Sequence, residues 1–257
     1  MRQGTRAAVG AVAAIGMFTA AAPAVAADRE KHSRVIAVDG VAKGDSSRHV
    51  EILVHVPSGT SAKAAGDRAL AGQNAKRAEK KPPPPTSSGY SFIGHRWTAF
   101  PVRQNYNGAG SRASGAQTAL NNTYGDWSSI SGSNFRMQSG GTTTRCPSLV
   151  RECPGAQRRD GFNDVGWTQL SNGTLGVTWS TSSGPEADMS INTRYTWVTG
   201  CRNVSGAFDL ETVYLHENGH VAGLGHSTDI NAIMYPSYQA ARCTLGADDR
   251  AGMAALY

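Results

Sequence analysis

The stretch HENGHVAGLGH, residues 216–226, places three histidines and one glutamate at fixed spacings. On a helix, His216 and His220 lie one turn and about 40° apart, so both imidazoles project from the same face. A helix that continued unbroken would carry His226 some 80° off that face and roughly 15 Å along the axis. Gly223 allows a left-handed conformation that ends the helix and turns His226 back. The spacing therefore predicts three imidazoles around one metal ion.

Three neutral imidazoles with a fourth position left to water are typical of a catalytic zinc site rather than a closed structural one. Zinc lowers the pKa of bound water towards about 7. Glu217, beside that water, can take its proton during attack on a carbonyl carbon and then protonate the leaving nitrogen. The motif predicts a zinc enzyme that hydrolyses peptide bonds of a protein or peptide substrate. The alternative is a secreted binding or adhesion module that uses zinc only for folding.

This motif resembles that of the metzincin clan of zinc endopeptidases. Met234, within IMYPSY at residues 233–238, is similar to the Met-turn that lies beneath the metal in that clan. Within the clan, Ser227 and the Pro236-x-Tyr238 pattern resemble matrixins, the family of matrix metalloproteinases and their bacterial relatives. The resemblance implies an α+β catalytic domain, with a twisted mixed sheet, about three helices and zinc in the cleft.

The resemblance also implies substrate-binding residues. Pro236 and Tyr238 would form a wall of the pocket that receives the residue after the scissile bond. Ala187 and Met189, within residues 186–192, would belong to an edge strand above the cleft, where an extended peptide pairs with the main chain.

Two departures from the animal matrixins are visible. Residues 27–89 contain no cysteine that could block the zinc, so any latency must work otherwise. A second zinc site of three histidines and an aspartate cannot be built, because only His95 remains in the compact domain beside the three motif histidines.

Around the motif, the pattern of elements also indicates an α+β fold with mixed pairing. Asp209 is expected to be the N-cap of the motif helix. An earlier amphipathic helix is predicted from a capping box at Ser114 and Gln117 and from helical spacing of apolar residues. These apolar residues are Leu120, Tyr124, Trp127 and Ile130. Strands are predicted at residues 49–56, 135–138, 175–180 and 187–192, and helical propensity at residues 60–80.

Acidic residues supply two further expectations. Asp248 and Asp249 are predicted to be helix-start charges. The resemblance implies instead that one of them pairs with a new N-terminal ammonium after maturation. Residues 160–164 (DGFND) and Asp209 offer oxygen ligands for calcium, but the ligand spacing of residues 160–164 does not match an ordered calcium loop, so a solvated turn is favoured there.

Four cysteines, an even number in an exported chain, favour two disulfides. Three pairings are possible. Cys146 and Cys153 enclose a short loop with prolines at its edges, so we expect these two to pair, which leaves Cys201 with Cys243.

The N-terminal third differs from the rest. Arg2 and Arg6 precede an uncharged alanine-rich run that ends in a small-x-small site, which predicts a secretory signal peptide over residues 1–26. Residues 27–88 are predicted to be a prosegment that ends in a Pro-rich linker, KKPPPPTSSG at residues 80–89. Residues 89–257 form the predicted catalytic domain. We therefore expect a secreted, extracellular zymogen.

Charge excludes one class of partner. The formal net charge of the chain is +6, but all of that excess lies in residues 1–88, and residues 89–257 balance twelve arginines against twelve acidic residues. A neutral domain disfavours nucleic-acid binding. No comparably long apolar segment follows the signal, so we expect no membrane contact after signal cleavage, and a monomer.

Overall fold

The computed structural model describes residues 34–78, 89–147, 160–181 and 186–257. The signal peptide, most of the linker and Cys153, with its expected bond to Cys146, lie outside the described residues. Within the described ranges, no helix is both long and apolar enough to cross a membrane.

The described residues form ten strands and four helices. The strands are β1 (Arg34–Ala42), β2 (Asp45–Val56), β3 (Ala75–Arg77), β4 (Val102–Tyr106), β5 (Met137–Thr142), β6 (Asp164–Thr168), β7 (Thr174–Thr181), β8 (Ala187–Asn192), β9 (Trp197–Val198) and β10 (Phe208–Asp209). The helices are α1 (Ala62–Gly72), α2 (Ala116–Ser128), α3 (Leu210–Ala222) and α4 (Ala247–Leu256).

Eight strands form one mixed sheet in the order β3-β1-β2-β7-β8-β6-β4-β5. Strands β5, β4, β6 and β8 run parallel to one another, whereas β7 is antiparallel to β8. With α2, α3 and α4 in the C-terminal part, this confirms the expected α+β fold with a mixed sheet and three helices. The predicted prosegment adds β1–β3 to the same sheet through β2, which pairs antiparallel with β7.

Two apolar cores lie on opposite faces of the sheet. The larger one contains Leu120 and Trp127 of α2 and Leu215 of α3, packed against the inward side chains of the strands. The second joins Leu70 of α1 to Ile52 of β2 and to the neighbouring strand β7. Alternation of side chains along β2 explains this division, because successive residues of a strand face opposite sides of the sheet.

Three sequence predictions need correction. The capping box at Ser114 is wrong, because Gly115, in a left-handed conformation, is the N-cap and no side chain caps the helix. The helical propensity predicted over residues 60–80 is realised only as far as Gly72, where α1 ends, and the chain then turns into β3. The strand predicted at residues 135–138 begins only at Met137. Local propensity cannot predict where a helix or strand begins or ends when contacts with distant segments decide it.

The predicted edge strand is also wrong. Strand β8 lies inside the sheet, hydrogen-bonded to β6 on one side and to β7 on the other. Because both edges of β8 are paired, Ala187 and Met189, which are also fully buried, offer no main-chain edge to a substrate. The strand that borders the cleft is β7, whose Thr178 contacts Glu217 of the motif helix.

Candidate metal centre

The motif helix α3 has the expected boundaries. The Asp209 side chain accepts a hydrogen bond from the backbone N–H of Thr212 at 2.8 Å, which confirms Asp209 as the N-cap. The helix ends at Gly223, which has φ of 104°. A Cβ at Gly223 would lie 2.6 Å from the carbonyl oxygen of His95, so the close approach of the chain requires glycine as much as the backbone angle does.

This turn brings the three motif histidines together. The ring centroids of His216, His220 and His226 are 4.8–5.4 Å apart. One ring nitrogen from each lies within 4.8 Å of the others. His216 and His220 are almost completely buried, and His226 lies at the rim. The structure thus brings together the three residues that the sequence analysis selected as ligands.

Each of the three rings is oriented by an oxygen at Nδ1. His216 Nδ1 donates to the carbonyl of Ile233 at 2.8 Å, and His220 Nδ1 donates to the carbonyl of Leu224 at 2.9 Å. His226 Nδ1 lies 2.5 Å from Asp39 Oδ1. Because carbonyl oxygens can only accept, the Nδ1 atoms of His216 and His220 carry the proton, which leaves a lone pair on Nε2 of each of these two rings when the ring is neutral.

The resulting donor set fits a zinc ion. The Nε2 atoms of His216 and His220 face each other at 3.1 Å with two lone pairs and no proton between them. His226 Nε2 is buried and has no hydrogen-bond partner among the described residues. Converging neutral imidazoles that are held from behind by oxygen acceptors are typical of zinc sites.

Burial keeps His216 and His220 uncharged. Burial and the nearby His226 lower the pKa of His216 to about 3. Burial and the neighbouring rings hold the pKa of His220 well below its usual value. Both rings are therefore neutral at pH 7, the form that binds metal.

Glu217 lies between the histidine cluster and β7. Its side chain is fully buried, and the Thr178 hydroxyl donates to Oε2 at 2.5 Å. The other oxygen, Oε1, has no hydrogen-bond partner among the described residues. Burial raises the pKa of Glu217 to about 8, although the Thr178 hydrogen bond opposes the shift. A carboxyl group with this proton affinity suits proton transfer near neutral pH.

Met234 forms the floor of the site, where the resemblance places it. It is buried beneath α3, and a Cβ at Gly219 would overlap its sulfur atom. This role of Gly219, a variable position of the motif, was not predicted from the sequence. The signal is a glycine in the middle of a helix, which costs stability unless a close contact requires it.

Comparison with known proteins agrees with this geometry. A family model described as Matrixin matches residues 105–257. The chain belongs to the matrixin family. It is therefore a member of a family of zinc metalloendopeptidases.

Several individual proteins are similar to this matrixin. Metalloendoproteinase 1 of Glycine max is 52% identical over 56 residues, which cover 21% of this chain and 18% of that protein. Matrix metalloproteinase-25 of Mus musculus is 32% identical over 147 residues, covering 55% and 23%. Interstitial collagenase of Oryctolagus cuniculus is 31% identical over 155 residues, covering 60% and 30%. The chain thus spans less than a third of the length of these relatives.

A pocket opens beside the metal centre of this matrixin. Its lining includes His216, Tyr238 and Leu53 of β2. The Tyr238 hydroxyl accepts a hydrogen bond from the backbone N–H of Asp209 at 3.2 Å, which fixes the ring at the pocket wall. Pro236 lies in the segment that follows Met234, and its carbonyl accepts from the backbone N–H of Ala37 at 3.0 Å.

The predicted cysteine pair and the predicted acidic sites lie outside the histidine cluster. Cys201 and Cys243 form a disulfide, as expected. Asp164 is held by the guanidinium of Arg145, with two contacts of 2.8 Å. The favoured solvated turn at residues 160–164 and its alternative, calcium binding, both stay untested predictions. Asp248 accepts a hydrogen bond from the backbone N–H of Gly89 at 3.0 Å. Its pairing with a new N-terminus also stays a prediction.

Asp249 is a site residue whose role the sequence analysis missed. It is buried, and its carboxylate accepts hydrogen bonds from the backbone N–H groups of Ile233, Met234 and Gly246 at 2.7–3.1 Å. Since the Ile233 carbonyl orients His216, Asp249 connects α4 to the metal ligands. Its sequence signal was indistinguishable from that of an ordinary helix-start charge.

We expect Asp249→Ala to lower the free energy of unfolding by about 2–4 kcal/mol, because it leaves buried N–H groups without acceptors. Chemical denaturation of the full chain measures this loss. Asp126→Ala, at a half-buried position in α2, is the control and should change stability by less than about 1 kcal/mol. Equal stability of the two variants would contradict the assigned role.

Proposed function

We propose that this matrixin is a secreted zinc-dependent endopeptidase, made as a zymogen, that hydrolyses peptide bonds with Glu217 as general base and acid. The observation that carries the proposal is the convergence of three imidazoles, two of them buried and neutral, beside a buried carboxyl group. His216, His220 and His226 would hold the zinc ion. Bound zinc supplies a Lewis acid that makes water nucleophilic near neutral pH and stabilises negative charge on a carbonyl oxygen.

The chain's own residues account for the proton transfers. Glu217 Oε1 has no hydrogen-bond partner among the described residues, so it can accept a proton from the attacking water. The same carboxyl group then donates that proton to the leaving nitrogen. The Thr178 hydroxyl holds Oε2 and so fixes which oxygen takes part.

Substrate binding follows from the sheet. An extended peptide would pair with the outer edge of β7 through main-chain hydrogen bonds. The side chain after the scissile bond would enter the pocket beside His216 and Tyr238. Pro236 contacts β1, which is separated from β7 by β2, so the peptide would lie between the segment of Pro236 and β7. Protein or peptide substrates are therefore the proposed partners, with a monomer as the working unit.

Secretion and maturation complete the proposal. The leader pattern in residues 1–26 and the Cys201–Cys243 disulfide support export to an oxidising, extracellular compartment. Residues 27–88 are the proposed prosegment and residues 89–257 the proposed catalytic domain. The linker composition at residues 80–89 supports a boundary there.

A peptide library tests the function directly. We expect the processed protein to cut peptides, to lose turnover when a chelator removes zinc, and to regain it when zinc is added back. Sequencing the cut ends would reveal the side chain that enters the pocket. Absence of turnover under every condition would favour the zinc-stabilised binding module instead.

A further inference from the structure

The proposed prosegment occupies the edge of β7 that a substrate would need. Residues from Arg48 to Val54 of β2 pair antiparallel with residues from Thr181 to Thr174 of β7. The other edge of β7 is bonded to β8. While β2 is in place, β7 is paired with β2 on one edge and with β8 on the other, so no main-chain groups of β7 remain along the paired length for an incoming peptide.

The hairpin of β1 and β2 also reaches the opposite wall of the cleft. On β1, the backbone N–H of Ala37 donates to the Pro236 carbonyl at 3.0 Å. The Ser237 hydroxyl donates to the carbonyl of Val35 at 2.7 Å. Leu53 of β2 is buried and lines the pocket beside His216. The hairpin therefore fills the space between β7 and the segment after Met234.

Two acidic side chains of this hairpin face the metal centre. Asp39 and Glu51 are paired across β1 and β2, and Glu51 is in turn opposite Thr178 of β7. Oxygen atoms of both carboxyl groups lie within 4.8 Å of a ring nitrogen of His226. Asp39 makes the closest contact, at 2.5 Å from His226 Nδ1. An acceptor from the hairpin thus holds the third histidine, in a region of the chain that contains no cysteine.

The elements within residues 34–78 pack on one another as well as on the rest of the chain. Helix α1 begins at the N-cap Ser61 and covers the outer face of the hairpin through Ala69 and Leu70. Asp67 of this helix accepts from Arg77 of β3 at 2.9–3.1 Å. The unit is joined to β7 by strand pairing and by packing on Val177 and Trp179. None of these contacts depends on a covalent link through residues 79–88.

We propose that residues 34–78 are a separable inhibitor, which stays bound in the cleft of this matrixin after the linker is cut, held by pairing of β2 with β7 and by Asp39 against His226. This inference rests on the proposed peptidase function. Cutting the linker removes only the high effective concentration that a tether provides, on the order of millimolar for short links. Activation then requires dissociation or destruction of the segment as a second step.

A nicked full-length chain tests the proposal without relying on turnover. The Glu217→Ala variant, which should not process itself, carries a recognition sequence for a specific protease within residues 79–88. After cutting and zinc loading, we expect both fragments to co-elute in size-exclusion chromatography under native conditions. Prompt separation of the fragments of this chain would overturn the proposal.

Variants in the same nicked chain test the role of Asp39. Asp39→Asn keeps the shape of the side chain but removes its charge, and we expect the fragment to dissociate about tenfold faster or more. Asp67→Asn is the matched control, an exposed aspartate of the same unit whose partners are Lys63 and Arg77. Its dissociation rate should equal that of the parent, and equal rates for Asp39→Asn and Asp67→Asn would refute the contribution of Asp39.

Turnover separates this inference from the function on which it rests. In the nicked chain with Glu217 intact, dilution should produce a lag before peptide hydrolysis, and Asp39→Asn should shorten that lag. Full turnover without a lag, while the fragments still co-elute, would overturn inhibition. If the fragments of this chain dissociate completely and no peptide is cut at any time, the peptidase function is refuted. Co-elution of the Glu217→Ala fragments would still decide whether the segment binds after cutting.

Discussion

Replacing Glu217 with alanine is expected to reduce turnover of the processed matrixin by about 10²–10⁴-fold while zinc stays bound. The expected size is that of a missing general acid and base. The three imidazoles hold their positions through Ile233, Leu224 and the turn at Gly223, none of which involves the glutamate. Steady-state hydrolysis of a library-derived peptide and metal analysis of the same sample measure the two properties.

Two companion variants make this test specific. Glu217→Gln keeps an oxygen that can accept from Thr178 but cannot take a proton, so it should lose as much turnover as Glu217→Ala with less effect on stability. Glu211→Ala is the control, because Glu211 lies in the first turn of the same helix, accepts from Asn122 and is not part of the histidine cluster, and this variant should keep normal turnover. Undiminished turnover in Glu217→Ala would refute the proposed role.

The sequence predicted the parts of the site that depend on local geometry. The two helical histidines, the N-cap at Asp209 and the left-handed turn at Gly223 all lie within one short stretch, so helix periodicity and glycine chemistry suffice to place them. The apolar period of α2 and the strand at residues 187–192 were likewise visible. In each case the determining interactions span only a few residues.

The parts that failed depend on contacts between distant segments. Nothing in the composition of residues 187–192 distinguishes an inner strand from an edge strand, because position in a sheet is set by which segments pair. Strand β2 pairs with β7 across more than a hundred residues of chain. Asp249 likewise contacts a loop that precedes its own helix. The same non-local pairing that escaped the sequence is the one that fills the cleft.

His220→Ala should nearly abolish zinc binding, and with it turnover. Removal of an outer partner of a metal ligand typically costs about 10–100-fold in affinity, so the loss of a direct ligand should exceed that range. His220 is fully enclosed, and its Nδ1 is anchored to the Leu224 carbonyl. Among the described residues, only His226 remains grouped with His216 once His220 is removed, so α3 offers no second ligand to replace the lost nitrogen. Competition with a chromophoric chelator measures the zinc affinity.

A matched histidine shows whether the effect is specific to the cluster. His55 of β2 contacts the aromatic rings of Tyr195 and Phe208 and is not part of the histidine cluster. Zinc affinity should be unchanged in His55→Ala, because that variant keeps all three ligands. Retained tight zinc binding in His220→Ala would contradict the three-histidine site itself.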